Sequence, residues 1–458
     1  MSTATPAPAA STSSSTEALH QLDRQRIVHP YLPASTTERV VMTRGKASSL
    51  WDTDGREYLD ATGGLWLAQV GHGRDELADV AASQMRELEY FTSFWEFSNQ
   101  PAIELADRLV RLAPDEISKV YFTSGGSEGI EAALKMSRYH HYRRGKEEKT
   151  WILARERAYH GIAYGGGTAS GFGMYHDGFG PMLPHVEHLT PPWPYRRDLF
   201  DGQDCTDFCI AELERTIERI GADNIAAMIG EPIMGVAGMV VPPDDYWPRV
   251  REVLRRNDIL LILDEVVTAY GRIGSWFAAE HFNVDPDIIV TAKGITSGYF
   301  PLGAVLMSED VAESLEADSG FPMGYTYNGH PTGCAVALAN LHIIEHERLL
   351  ARASEIGGYL LDKLSDELAD LPRVGEVRGV GMMLGIELVA DRDSREPLPN
   401  PQAVADAVRR EHGVIVRDSA QGLVLSPALT LTRDEADRIS AAIRAVLTTT
   451  HPDGTIGS

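Results

Sequence analysis

Short apolar runs alternate with amphipathic helical patterns over residues 75–330, and this alternation leaves few architectures open to the chain. The helical patterns include DELADVAASQMRELEY and AIELADRLVRLA, and the apolar runs are KVYFT, TWILA, IAAMIGEP, ILLILDEV and DIIVTAK. Continuous apolar runs of this length are typical of parallel strands that are buried on both faces. The sequence therefore predicts an α/β fold in which helices cover both sides of a mainly parallel sheet.

The rest of the chain predicts a smaller domain of the α+β type. SLWDTDGREYLDATGGLW alternates apolar and polar residues around an Asp-Gly pair, which is typical of a β-hairpin. Long helical patterns follow Pro331, together with the strand-like segments GVGMMLGIELVA, GVIVRD and LVLSPAL and a last helix from Thr432 to Leu447. We expect a disordered tail at 1–20, a small domain made of 21–74 and 331–458, and a large domain at 75–330.

Composition narrows the range of functions. The formal net charge of −24 and the isoelectric point near 5.0 oppose binding to nucleic acid and to anionic membranes. The three cysteines, Cys205, Cys209 and Cys334, suit a reducing compartment and form no convincing metal site. The chain opens without the features of a signal peptide, and its apolar stretches are shorter than the roughly 20 residues of a membrane-spanning helix. We expect a cytoplasmic protein without a metal, nucleic acid or membrane partner.

Lys293 stands where a predicted buried strand ends, in the stretch PDIIVTAKGITSGYFPLGAV. Strand ends are where α/β folds place their chemistry. Burial removes the hydration of an ammonium group and lowers its pKa, which makes a neutral amine available for Schiff-base formation. Taken alone, a lysine in this position is more often a solvated loop residue, so the interpretation depends on other residues.

Two further strand ends carry suitable partners for such a lysine. ILLILDEV ends on Asp264, a carboxylate that could hold the protonated nitrogen of a pyridine cofactor, although an aspartate capping a turn is the alternative. KVYFTSGGSEGIEAALK places Gly126 and Ser127 between a strand and a helix, where free backbone N–H groups bind phosphate. The alternative there is an ordinary helix start with Ser127 as its N-cap.

RAYHGIAYGGGTASG adds Tyr159 and His160 at the start of a glycine-rich loop that follows another predicted strand. An aromatic ring in this position could stack on a flat cofactor. A tyrosine that belongs to the core is the alternative.

Together and in this order, these segments resemble the class III, or ω-type, aminotransferases, which are fold-type I pyridoxal-phosphate enzymes. The similarity extends from about His29 to Leu447. It implies pyridoxal 5'-phosphate as the cofactor, with pyridoxamine 5'-phosphate as its intermediate form, and Lys293 and Asp264 as the catalytic residues that form the Schiff base and pair with the pyridinium. The other cofactor-binding residues that the resemblance implies are Val266, Gly126, Ser127, Tyr159, His160, Glu231 and Thr326.

The same resemblance implies a homodimer with shared sites, because Thr326 matches a threonine that reaches the phosphate of the neighbouring subunit. GVIVRDSAQGLVLSPAL is similar to the amine–pyruvate transaminases, in which the residue at Arg417 is a mobile arginine that clamps the carboxylate of pyruvate. Ornithine- and 4-aminobutyrate-type relatives usually carry a glutamate at Val236 that masks this arginine. The other implied substrate-binding residues are Trp66, Phe94, Trp95, Tyr159 and Tyr325.

Purely structural interpretations of some of these residues stay open. The aromatic cluster YFTSFWEF, which contains Phe94 and Trp95, could be interface core, and Arg417 could be a surface residue. TPPWPY resembles a flanking loop, and we assign Trp193 and Tyr195 no catalytic role.

The resemblance leads to a specific hypothesis about activity. The chain is expected to be an ω-transaminase that transfers the amino group of a primary amine or ω-amino acid to pyruvate and forms alanine. The alternatives are another class III aminotransferase, of the 4-aminobutyrate, ornithine or diamine type, and a pyridoxal-phosphate-dependent aminomutase. A nucleotide-binding module fits poorly, because RGVGMMLG places its third glycine one position late and the chain has no Walker-type phosphate loop. A non-catalytic scaffold would not explain Lys293 and Asp264.

Overall fold

The computed structural model describes residues 15–419 and 421–457. The first described residues form a helix that leads into a small antiparallel sheet. The elements up to residue 112 are α1 (Thr16–Arg26), β1 (Met42–Lys46), β2 (Ser49–Asp52), β3 (Glu57–Asp60), α2 (Gly63–Trp66), α3 (Asp75–Glu87) and α4 (Gln100–Leu112). β2 and β3 pair in antiparallel fashion across the Asp-Gly turn, which confirms the predicted hairpin.

A seven-stranded sheet lies at the centre of the molecule. Its strands are β4 (Ile117–Thr123), β5 (Trp151–Arg155), β6 (Val186–Leu189), β7 (Ile225–Gly230), β8 (Leu260–Asp264), β9 (Ile288–Thr291) and β10 (Gly303–Ser308). Their spatial order is β4-β10-β9-β8-β7-β5-β6. The strands are parallel except for β10, which runs antiparallel to both of its neighbours. The mainly parallel sheet is therefore confirmed.

Both faces of this sheet are covered, as the continuous apolar runs require. Leu261 and Leu263 pack into the larger hydrophobic cluster, whereas Ile262 and Val290 point to the opposite face and pack with residues of α5. The helices of this part are α5 (Gly126–Arg143), α6 (Tyr164–Ala169), α7 (Cys205–Ile220), α8 (Tyr246–Arg256), α9 (Ala278–His281) and α10 (Glu309–Glu316). Alternating side chains thus bury a strand from both sides at once.

The C-terminal part forms a second sheet with its own helices. Its elements are α11 (Pro331–His346), α12 (Leu349–Leu368), β11 (Val374–Val380), β12 (Met383–Asp391), β13 (Glu396–Pro397), α13 (Pro401–His412), β14 (Val414–Ile415), β15 (Arg417–Ser419), β16 (Gly422–Leu425) and α14 (Arg433–Thr448). β11-β12-β16-β15 form one sheet with β13 beside β12, and β14 joins the N-terminal strands through parallel pairing with β3.

Several sequence expectations can be compared with these elements. Thr432 caps α14 in a reciprocal capping box with Glu435, so the predicted last helix is confirmed. Most of the expected disordered tail lies outside the described residues, and its last part, 16–20, is helical because it belongs to α1. The division into a large and a small domain stays a prediction. No helix among the described residues combines the length and the apolar character needed to cross a bilayer.

Candidate active site

A cavity of about 690 Å³ opens at the carboxyl edge of the central sheet. The parallel strands β4, β7, β8 and β9 all end at this edge. The antiparallel β10 begins there, and its first residues pair with the last residues of β4 and β9. The residues that line the cavity next to these strand ends are Ser124, Gly126, Glu231, Asp264 and Lys293. The sheet therefore collects residues that lie up to 169 positions apart in the sequence, from Ser124 to Lys293.

Lys293 follows β9 by two residues and projects into the cavity. Its φ angle of +44° lies in the left-handed region, which costs a residue with a Cβ roughly 1–2 kcal/mol. Burial lowers the pKa of Lys293 below its ordinary value, although the negative charges of Asp264 and Glu231 act in the opposite direction. No described side chain forms an ion pair with its ammonium group. The lysine is therefore available for reaction with a molecule in the cavity.

Asp264 is buried at the end of β8 and is held from two sides. His160 Nδ1 lies 2.8 Å from Asp264 Oδ2, and the Val266 N–H donates to Asp264 Oδ1 at 3.1 Å. The bond from Val266 is the turn-capping contact of the alternative interpretation. His160 is itself buried, and its backbone N–H donates to Ser170 Oγ at 2.8 Å. The carboxylate is thus fixed beside Lys293 and has histidine, not lysine or arginine, as its side-chain partner among the described residues.

Glu231 is a second buried carboxyl group, next to the end of β7. It accepts hydrogen bonds from the backbone N–H groups of Tyr159 at 3.0 Å and Gly235 at 2.8 Å. Burial raises the pKa of Glu231, with a further rise from the charge of Asp264 and an opposing effect of His160. These contacts fix the loop that carries Tyr159, and Glu231 also lines the cavity itself.

The N-terminus of α5 faces the cavity without a side-chain cap. The N-cap residue is Gly125, in extended conformation, and no side chain of the described residues caps the helix, so Ser127 is not the N-cap. A Cβ atom at Gly126 would lie 2.9 Å from Val266 Cγ2, which shows how closely Val266 packs against this helix start. Unpartnered N–H groups at an 18-residue helix form a binding site for an anion.

The outer part of the cavity combines an apolar wall with one cationic group. The Arg417 guanidinium lies 5.8 Å from the ring centroid of Trp66, is exposed, and forms no ion pair with a described carboxylate. Trp66 is buried, and Val236 lines the same cavity. An apolar wall beside a free guanidinium can receive either an uncharged group or a carboxylate.

A profile of the family described as "Aminotransferase class-III" matches residues 31–447. The chain belongs to the class III aminotransferase family. A thermostable (S)-enantioselective omega-transaminase from Thermomicrobium roseum is 43% identical, with coverage of 94% of this chain and 98% of that one and a TM-score of 0.91. An amine transaminase from an uncultivated Pseudomonas species, solved in its PLP-bound form, is 41% identical over 92% and 98% of the two chains, with a TM-score of 0.89. A putrescine–pyruvate aminotransferase from Pseudomonas aeruginosa is 36% identical over 89% of this chain and 90% of its own.

Pyridoxal 5'-phosphate is the cofactor of this aminotransferase, and the fold is that of the fold-type I enzymes. The residues of the cavity fit the three functional groups of the cofactor: an amine for its aldehyde, a buried carboxylate for its ring nitrogen and an uncapped helix start for its phosphate. The predicted residues that line the cavity are Trp66, Gly126, Ser127, Tyr159, His160, Glu231, Asp264, Val266, Lys293 and Arg417.

Four predicted residues of the aminotransferase do not line this cavity: Phe94, Trp95, Tyr325 and Thr326. Trp95 is 83% exposed, and the backbone oxygen of Thr326 accepts a hydrogen bond from Tyr90 at 2.7 Å. Their predicted roles therefore stay predictions.

Several lining residues were absent from the sequence-based prediction, among them Tyr31, Phe172, Tyr175 and Phe300. Phe172 and Tyr175 follow α6, which is formed by the glycine-rich segment after Tyr159, and this proximity in sequence is the one signal that could have identified them. Tyr31 comes from a segment without periodicity, so local sequence gives no indication of its position.

Proposed function

We propose that this aminotransferase is an ω-transaminase that moves an amino group from a primary amine or ω-amino acid to pyruvate. The products are a ketone or aldehyde and alanine. The observation that carries the proposal is Arg417, which is exposed beside Trp66 and has no ion-pair partner among the described residues, with Val236 in the cavity wall where a masking glutamate would stand. Lys293, Asp264 and the uncapped helix supply the shared chemistry of the family, whereas Arg417 distinguishes the acceptor.

Lys293 is the proton carrier in this proposal. When bound, pyridoxal 5'-phosphate supplies an aldehyde that condenses with amines and a ring that stabilises negative charge on the adjacent carbon. Lys293 Nζ takes the proton from the amine-bearing carbon of the donor, and in the second half of the reaction delivers a proton to the carbon that becomes Cα of alanine. Its lowered pKa keeps a larger fraction of the amine neutral, which is the form that accepts a proton.

Asp264 holds a fixed negative charge where the cofactor ring nitrogen is expected. His160 and the Val266 N–H orient its carboxylate, so the charge does not need to reorganise during the reaction. The N–H groups of Gly126 and Ser127 are expected to bind the phosphate, and Tyr159 and Val266 to enclose the ring.

Arg417 accounts for the recognition of two unlike substrates in one cavity. A carboxylate acceptor can form a bidentate pair with the guanidinium. An amine without a carboxylate can pack on Trp66 and the neighbouring apolar wall while the exposed arginine side chain remains in solvent. To bind one substrate and make way for the other, the arginine must have no competing carboxylate partner.

We also propose that the enzyme is a cytoplasmic homodimer. The aromatic residues near Trp95 are unusually accessible for their size: Trp95 is 83% exposed, Tyr327 59%, Phe91 45% and Phe97 44%. Contiguous exposed rings of this type are typical of protein interfaces. A second copy would cover them and bring Thr326, Tyr325, Phe94 and Trp95 to the partner's cavity.

A diamine donor is the alternative that one observation favours. Asp418 lines the cavity, is partly buried, and forms no ion pair with a described residue. Burial raises the pKa of Asp418, with an opposing effect from Arg417. A distal ammonium group of the donor would neutralise this carboxyl group. Equal turnover of putrescine and 1-phenylethylamine would support a diamine-tolerant enzyme.

The absorbance of the purified holoenzyme tests the proposal. Addition of 1-phenylethylamine should decrease the absorbance band of the cofactor bound to Lys293, and addition of pyruvate should restore it. The variant Lys293→Ala should fail to complete this cycle. If an amino acid such as ornithine bleaches the band and the amine has no effect, the proposed donor class is wrong.

A further inference from the structure

The β15–β16 hairpin carries Arg417 to the mouth of the cavity. Arg417 pairs with Val424, and Ser419 pairs with Gly422. β15 is a three-residue strand at the edge of its sheet, and β16 is its only strand partner in the described part of the chain. A strand this short at a sheet edge is held in place largely by additional contacts near its ends.

Gln421 supplies contacts of this kind. It is buried, its backbone oxygen accepts a hydrogen bond from the Leu388 N–H at 2.9 Å, and its side-chain Oε1 accepts one from Arg196 Nε at 3.0 Å. Arg196 Nη2 donates a second bond to the same oxygen. Arg196 belongs to the loop TPPWPYRR, 225 residues away in sequence, so this contact joins two distant parts of the chain.

Arg196 is itself held in place by several groups. Its Nη2 lies 3.2 Å from Glu387 Oε1, its Nη1 donates to the backbone oxygen of Arg395 at 2.9 Å, and its guanidinium lies 5.6 Å from the ring centroid of Trp193. Glu387 is fully buried and accepts a further bond from Arg378 Nη2 at 2.9 Å. The anchor of Gln421 is therefore a buried, charge-assisted network.

Arg378 connects the same network to the other side of the hairpin. Its Nε donates to the backbone oxygen of Gly238 at 2.9 Å. A Cβ atom at Gly238 would lie 2.8 Å from Arg378 Nη2 and 3.3 Å from Ser419 Oγ. Gly238 therefore has no room for a side chain between Arg378 and Ser419, so the network also reaches the space beside β15.

We propose that Gln421 and Arg196 are positioning residues that set how far Arg417 reaches toward the substrate carboxylate. The inference rests on the proposed function, in which Arg417 binds the carboxylate of the acceptor. Displacement of the hairpin would weaken binding of a group that needs bidentate geometry, and would leave an amine packed on the apolar wall unaffected. The loop around Trp193, which has no predicted role in catalysis, then acts on specificity through Arg196.

The test compares Gln421→Ala with Gln421→Glu in the holoenzyme. Alanine removes the acceptor for Arg196, whereas glutamate retains an acceptor at the same place. We expect Gln421→Ala to raise KM for pyruvate about tenfold, the effect of losing one hydrogen bond to a charged group, with kcat and KM for 1-phenylethylamine within about twofold. Gln421→Glu should keep KM for pyruvate within about twofold of wild type.

One further variant is a control, and another is a second test of the contact. The control is Arg433→Gln, which removes a cation from an exposed contact, 4.7 Å from the Tyr359 ring and 3.0 Å from Glu355, and should leave both KM values unchanged. Arg196→Lys retains the charge and loses the forked contact with Gln421, and should repeat the effect of Gln421→Ala. It replaces that variant if Gln421→Ala does not fold.

The outcomes separate the inference from the function on which it rests. If Gln421→Ala changes both KM values equally, or lowers only the melting temperature, Gln421 has a purely structural role and the inference is wrong. Arg417→Ala is measured alongside: if it raises KM for pyruvate and Gln421→Ala does not, only the inference fails. If Arg417→Ala also leaves KM for pyruvate unchanged, the proposed role of Arg417 fails, and the inference fails with it.

Discussion

The inner and outer ends of one cavity are built in different ways. At the inner end, Asp264 and Glu231 are buried, and each accepts at least two hydrogen bonds from fixed partners. At the outer end, Arg417 and Tyr31 are exposed, and Arg417 forms no ion pair within the described chain. The difference indicates that the groups proposed to perform the chemistry are held in place, whereas the groups proposed to recognise substrates remain free to adapt.

The origin of the residues explains this difference. The inner groups follow adjacent strands of one sheet, where backbone pairing fixes their spacing. The outer groups come from separate parts of the chain: Tyr31 from the N-terminal segment, Trp66 from a short helix and Arg417 from an edge hairpin. A sheet edge therefore provides precise geometry, and converging loops provide variation between relatives.

The largest expected effect comes from removing the proton carrier. Lys293→Ala should lower kcat by about 10⁴-fold, because general acid–base catalysis is lost together with the amine that forms the Schiff base. Steady-state kinetics with 1-phenylethylamine and pyruvate measure the loss, and the melting temperature of the variant controls for folding. A decrease of less than tenfold would contradict the assignment of Lys293.

Neutralising the inner carboxylate should have the next largest effect. Asp264→Asn preserves shape and removes the charge, so we expect kcat to fall by about 10²–10³-fold, the range for the loss of one preorganised electrostatic group. Both half reactions should slow to a similar degree in stopped-flow absorbance. A change confined to one half reaction would place Asp264 in substrate recognition instead.

Removal of the contact between His160 and Asp264 should have a smaller effect. His160→Ala deletes a hydrogen bond to a charged group, and kcat should fall about tenfold. His176→Ala is the matched control, because His176 Nε2 bonds to the backbone oxygen of Gly167 and not to Asp264. Similar losses in the two variants would show that the loop, and not the contact, matters.

The smallest expected effect concerns stability and pH. Since burial depresses the pKa of Lys293, the charged lysine destabilises the folded, cofactor-free protein at pH values below its folded pKa. This cost declines as the pH rises from the folded pKa toward 10.5. Lys293→Met should therefore raise the melting temperature of the cofactor-free enzyme by about 2 °C at pH 7 and by less at pH 10. A gain that grows with pH would contradict the depressed pKa.

The sequence predicted the inner end better than the outer end, and the reason is physical. The apolar runs before Asp264 and Lys293 predict buried strands, and these two polar residues mark where the strands end. The positions of both side chains at the sheet edge therefore follow from the strands. β10 was not among the predicted strands, and its antiparallel direction could not have been predicted either, because an apolar run carries no information about chain direction. GVGMMLGIELVA, read as one strand-like segment, forms parts of β11 and β12 that meet at Gly381, whose φ angle is +54°.

The outer end depends on tertiary contacts that no local pattern encodes. Arg417 and Trp66 were identified through the family resemblance, and the structure places them 5.8 Å apart in the cavity. Tyr31 was missed because its position depends on how the N-terminal segment packs. The roles of Thr326 and Trp95 remain predictions, because neither residue lines the cavity.

Single-turnover rates of the two half reactions in Asp264→Asn and Arg417→Ala test the difference between the two ends most directly. Stopped-flow absorbance would follow the amine half reaction with 1-phenylethylamine and the second half with pyruvate at subsaturating concentrations. We predict that Asp264→Asn slows both halves to a similar extent, and that Arg417→Ala slows the pyruvate half by about tenfold or more with the amine half unchanged. Equal slowing of both halves by Arg417→Ala would contradict the separation of chemistry from recognition.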